Sequence, residues 1–169
     1  SACQSSHEEE VAMSLSDWEL PMGADRCILG TTHVPEGDAR GVVVHVHGYT
    51  GYKDYGMHPW VACRMCESGF IVHRINLSDS GCGHGHGLFD DEKFRRGTWN
   101  RSVEDVLHVL AAIGRGQLAG QGCGAVLMGH SRGGATSLLT MGRHAKDEAV
   151  SSVCGVISLA APASLQRLL

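Results

Sequence analysis

The 169 residues predict an α/β domain, a mostly parallel, doubly wound sheet that opens with an antiparallel N-terminal hairpin. Three observations lead there. Short β-branched or apolar runs stop abruptly at glycine, as in GVVVHVHG from Gly41 and AVLMG from Ala125, the pattern of strands buried on both faces. Those runs alternate with stretches of helical length, and such alternation calls for right-handed crossovers with helices on both sides of the sheet. The length suits one core and not two.

In chain order, residues 1–10 are polar and acidic without periodicity and are expected to form a loose lead-in to a domain over 11–169. Strands are expected over 11–20 and 27–34, paired antiparallel around Pro21-Met22-Gly23. The buried run from Gly41 follows, then a helix near 59–68 and the strand FIVHRINL at 70–77. A Gly/His loop leads to a helix near 103–113, a strand at 124–128, a helix near 133–146 and a strand at 153–159. That last strand is apolar and uncharged, so as a sheet edge it calls for cover. Residues 89–99 carry charges and three aromatics and read as a solvated loop entering a helix, with Phe94 and Trp99 able to cover the edge of a site.

Composition narrows the function classes. A net charge of -4, with 43% hydrophobic and 19% charged residues, is ordinary for a soluble domain and offers no basic excess to nucleic acid. The apolar runs are far too short for a membrane span. The expected location is cytoplasmic, with a lipid-anchored or exported protein as the alternative should Cys3 of Ser-Ala-Cys end a lipoprotein signal. Seven cysteines, several inside apolar runs, fit buried reduced thiols better than a disulfide framework.

The stretch AVLMGHSRGG, residues 125–134, poses the chemical question of why a buried strand should stop around a serine. Gly129-His130-Ser131-Arg132-Gly133 has the form G-x-S-x-G, with an expected strand before it and an expected helix after it. A sharp turn that holds the serine in strained backbone crowds the positions two residues away, which explains glycine at both. The following helix points its N-terminus at Ser131, so its dipole and free amides favour developing negative charge, and Arg132 offers one backbone N–H. At the end of the first buried strand, His47-Gly48-Tyr49-Thr50-Gly51 is placed to offer the Tyr49 amide as a second donor; a plain glycine turn is the simpler reading of the same residues.

HGYTGYKDY, DSGCGHGHG and GHSRGG, in that order, resemble the α/β-hydrolase superfamily, in particular its small bacterial esterase and serine-aminopeptidase-like branch, over roughly residues 42–163. The resemblance implies Ser131 as nucleophile, the backbone N–H groups of Tyr49 and Arg132 as oxyanion hole, a small-molecule acyl substrate and no cofactor. It also implies a sheet that begins with an antiparallel hairpin, residues 11–34 here. One departure stands out. In that superfamily the triad acid and then the histidine follow later strands, whereas one strand follows the serine here and residues 160–169 hold no Asp, Glu or His. The chain is therefore expected to be the N-terminal portion of such a domain, with acid and histidine beyond Leu169. His144 falls in the helix after the serine and reads as a surface or packing residue, and His130 as packing.

Cys82, His84 and His86, with Cys63-x-x-Cys66 upstream, are zinc-binding residue types, but the cysteine pair falls in an expected helix and no second pair has finger spacing, so no metal is assigned. The Gly/His loop lies beyond the carboxyl end of a strand, where open α/β sheets place ligands, and His84, His86 and Phe89 are candidates for a substrate mouth. The functional expectation is a serine hydrolase of carboxylic esters, with amides and thioesters as further acyl substrates, working through a Ser131 acyl-enzyme. The alternative is a non-catalytic α/β-hydrolase-like module that binds a small molecule in the same pocket.

Overall fold

The computed structural model describes residues 13–23, 25–84 and 89–164. The expected lead-in at residues 1–10, Cys3 and His86 lie outside the described residues. The elements follow the expected order: strands β1 (Met13–Pro21), β2 (Cys27–Pro35) and β3 (Val42–Val46), helix α1 (His58–Glu67), then β4 (Ile71–Asn76). Two helices follow, α2 (Asp91–Arg95) and α3 (Trp99–Gly114), then β5 (Ala125–His130), α4 (Arg132–His144) and β6 (Val153–Leu159). A 3-10 turn at Glu148–Val150 leads into β6.

The six strands form one sheet in the order β1-β2-β4-β3-β5-β6. The β1–β2 and β2–β4 pairs are antiparallel, and β3, β4, β5 and β6 pair in parallel. The chain steps from β3 to β4 in one direction and then returns past β3 to β5 and β6. Right-handed crossovers in opposite directions put their helices on opposite faces, and the core is split accordingly. Val42, Val44 and Val46 of β3 pack with Val106, Val109, Leu110 and Ile113 of α3. Val43, Val72 and Met128 pack with Ala62 and Cys66 of α1 on the other face.

That reversal makes a topological switch point between β3 and β5, and ligands of open α/β sheets bind beyond the carboxyl ends of such strands. The two motifs singled out by sequence, the loop 47–51 after β3 and the turn 129–133 where β5 becomes α4, stand there side by side. The thiols depart from expectation. The six described cysteines are free, but Cys66 alone among them is buried and Cys154 is exposed. β6 ends the sheet, as expected, and Ile157 on it and Leu138 on α4 are exposed.

Candidate active site

Ser131 sits where β5 becomes α4, with φ 51° and ψ -120°. Close contact dictates the flanking glycines. A Cβ on Gly129 would lie 2.2 Å from the Gly133 carbonyl carbon, and one on Gly133 would lie 2.3 Å from the Val46 carbonyl oxygen. The Ser131 amide donates to the Leu159 carbonyl at 2.7 Å, which ties the turn to the end of β6. Three non-glycine residues have positive φ among the described residues: Thr50, Ser131 and Ala160. They follow β3, β5 and β6, at the same end of the sheet. Such residues cost on the order of 1–3 kcal/mol each and persist where surrounding structure over-determines them, commonly at functional sites.

The loop after β3 is held by buried polar groups. His47 accepts a hydrogen bond at Nε2 from the Leu77 amide at 3.2 Å, so its Nδ1 carries the proton and donates to the Gly48 carbonyl at 2.8 Å. Gly48 abuts the serine, for a Cβ there would come within 3.3 Å of Ser131 Cβ. Further along, the Lys53 amide donates to Asn76 Oδ1 at 2.5 Å, and Arg74 donates to the Lys53 carbonyl at 2.6 Å and to Asp54 at 2.5 Å. Asn76 is 1% exposed, and its amide nitrogen donates to the Gly83 carbonyl at 3.0 Å. One β4 side chain thus links the 47–54 loop to the loop that carries His84.

A cleft of about 560 Å³ opens over Ser131, lined by Tyr49, Gly97, Thr98, Trp99, Ser131, Arg132, Ala160 and Pro162. The residues proposed from sequence as nucleophile and amide donors therefore share one cleft. Thr98 reaches it as the N-cap of α3, its hydroxyl accepting from the Arg101 amide at 3.2 Å. Phe94 packs against Tyr49 and Phe89 against Phe94 in tilted pairs, each with 5.2 Å between ring centroids, so Phe89 reaches the cleft wall only through Phe94 and Tyr49. His84 does not line this cleft; its ring stands 3.9 Å from Asp17 and 3.8 Å from Glu19, both on β1. His144, at the end of α4, lies 3.8 Å from Asp147.

Behind the serine stands a group of histidines. His45 faces α1, with Nε2 3.1 Å from His58 Nδ1, and the His58 and His130 rings lie 6.2 Å apart. Burial is the main cause that pulls His45 down to about 3 and His47 and His58 to about 4, because an imidazolium there would lose its hydration. His33 on β2 and His73 on β4 are likewise held at about 4 by burial. These rings are neutral hydrogen-bonding members of the core. Nothing in the sequence marks them as such, since their partners lie far away along the chain.

A strained serine at a strand-to-helix turn, with the first turn of α4 beginning at Arg132 and a glycine loop packed against it, can place a hydroxyl and unpaired amides around one small volume. The family model of serine aminopeptidase S33 matches residues 37–168. The chain belongs to the serine aminopeptidase S33 family. This S33 chain has the α/β-hydrolase fold. It is similar to a dienelactone hydrolase from Anabaena variabilis at 16% identity and TM-score 0.68, covering 88% of this chain and 64% of that one. It is also similar to a cold-adapted esterase from an Arctic intertidal metagenomic library, 19% identical with TM-score 0.66 over 89% of this chain and 62% of the other. Brefeldin A esterase, a bacterial homologue of human hormone sensitive lipase, matches at 19% identity and TM-score 0.63, covering 92% of this chain and 42% of its own. The chain thus spans less than two thirds of the length of each of these structures. No protein of the curated set matches the sequence. Among the described residues, no helix of this S33 chain is long and apolar enough to cross a membrane.

Proposed function

We propose that this S33-family protein hydrolyses carboxylic esters of small molecules through an acyl-enzyme on Ser131. The observation that carries the reading is the backbone of Ser131, φ 51° between a parallel strand and a helix, with the residue lining a cleft. In the proposed reaction the Ser131 hydroxyl attacks the ester carbonyl carbon and its proton passes to a general base. The carbonyl oxygen gathers negative charge and is met by the amides of Tyr49 and Arg132, supported by the α4 dipole. Collapse of the tetrahedral species expels the alcohol, and water then releases the acid from Ser131. Nucleophile and amide donors are assigned among the described residues; base and acid are not.

The test is hydrolysis of a short-chain p-nitrophenyl ester by the full-length protein beside its Ser131→Ala variant. Removal of the nucleophile should lower turnover by at least a thousandfold, toward the residual rate that amides and binding alone sustain. Equal turnover by the two proteins would overturn the assignment and favour a pocket that binds without catalysing.

A further inference from the structure

Arg132 contributes more to the cleft than a backbone amide. Its guanidinium lies over two aromatic rings, 5.6 Å from the Tyr49 centroid and 4.8 Å from that of Trp99. Both rings line the cleft over Ser131, and among its lining residues Arg132 is the one with a charged side chain. Arg132 also lines a neighbouring cavity of about 30 Å³, beside Asp79 and Asp105. Asp79 attracts the cation through space, but neither acid forms an ion pair with it. Asp79 is engaged by Arg101 through both carboxylate oxygens, one contact being 2.9 Å. Asp105 accepts from Arg26 and from the Ser78 amide, each at 2.7 Å.

The cation is therefore partly desolvated and unpaired among the described residues. Burial draws it down from the ordinary arginine value, and its Nε is buried with no hydrogen-bond partner. A half-buried guanidinium whose Nε is unmet is costly unless something meets it. The two rings offer the cation their π faces but no hydrogen-bond acceptor, which leaves its N–H groups for a ligand, and the guanidinium fork matches a carboxylate in a bidentate pair. A single cation suits a planar monoanion better than a phosphate dianion, which calls for several donors.

We infer that the Arg132 side chain recognises an ionised carboxylate on the substrate, so that this cleft prefers esters bearing a second, free carboxylate to their neutral counterparts. The inference rests on reading the cleft as the acyl-transfer site, and it assigns a specificity role to a side chain whose backbone amide serves the oxyanion.

Isothermal titration on the Ser131→Ala protein, which holds esters without turning them over, tests it with monoethyl succinate, acetoxyacetate and neutral diethyl succinate. The first carries the carboxylate on the acyl side and the second on the alcohol side. At least one anion should bind tenfold to a hundredfold more tightly than the diester, the range expected of a charge-assisted pair. Adding Arg132→Met should bring the ratio of anion to diester affinity within about twofold of unity, and Arg132→Lys should retain part of the preference. Circular dichroism confirms the fold of each variant, and the Ser131→Ala comparison stands without the second substitution. Equal affinities, no detectable binding of either anion, or a preference that survives Arg132→Met would overturn the inference. Arg132-dependent binding of an anion by a protein whose wild type turns over no ester would instead remove the hydrolase reading and keep this one.

Discussion

Gly129 and Gly133 meet across the serine turn, so that a Cβ on the first would fall 2.2 Å from the carbonyl carbon of the second. Backbone, not a movable side chain, is the obstacle. Gly129→Ala and Gly133→Ala should each destabilise the protein by about 3 kcal/mol or more, beyond the usual overpacking range because the strand-to-helix geometry must shift. In a chain of this size that corresponds to a fall in Tm on the order of 6–12 °C. Thermal melts followed by circular dichroism decide it, and a change under about 2 °C would show that the turn can relax.

Acid should loosen the fold well above the range where carboxylates protonate. His33, His45, His47, His58 and His73 have folded pKa values held at about 3 to about 4 by burial, against roughly 6.5 for an unfolded histidine. Between those limits the unfolded chain binds more protons, so stability falls as pH drops from about 6.5 toward about 4. Asp105 acts oppositely, since burial raises it to about 6 and the folded state takes up its proton first. Five imidazoles outweigh one carboxyl. Each net proton contributes about 1.4 kcal/mol per pH unit. Urea midpoints at pH 7.5, 6 and 5 should decline steadily, and a flat profile across that interval would contradict the buried neutral histidines.

Asn76 should matter to the serine cleft without touching it. Its side chain accepts from the Lys53 amide and donates to the Gly83 carbonyl, so Asn76→Ala leaves buried groups unmet at a cost of about 1–3 kcal/mol. Loosening the 47–54 loop displaces Tyr49, a proposed oxyanion donor, so kcat for a p-nitrophenyl ester should fall several-fold more than KM changes. Steady-state kinetics at a temperature where the variant remains folded separates the two effects. An unchanged kcat would show that the loop holds its place without Asn76.

The parallel strands are legible in the sequence as short apolar or β-branched runs, those of β3 and β5 stopped by glycine, and β6 matches its expected limits residue for residue. Helix starts are less so. α3 begins at Trp99 and not near 103, since Asn100, Arg101 and Ser102 bring no apolar period; Thr98, a capping residue before the helix, was the available signal. The five-residue α2 reads as loop because its residues bury nothing, although Asp90 caps it by accepting from the Lys93 amide. At the site, the serine turn announces itself in the five-residue motif Gly129 to Gly133. Ala160 and Pro162 do not, because they reach the cleft from the far end of β6 through pairing that no local pattern encodes. The setting of the Arg132 side chain was hidden for the same reason, as Tyr49 and Trp99 converge on it from two other elements.

The most direct test is where an acyl-like group becomes attached. The full-length protein is treated with a fluorophosphonate, which leaves a stable phosphonyl adduct on an activated serine, and the product is digested and sequenced by mass spectrometry. One adduct on the peptide containing Ser131, absent from the Ser131→Ala protein, is the expected result. Labelling of a different serine, or none under conditions where the wild type hydrolyses esters, contradicts Ser131 as the nucleophile.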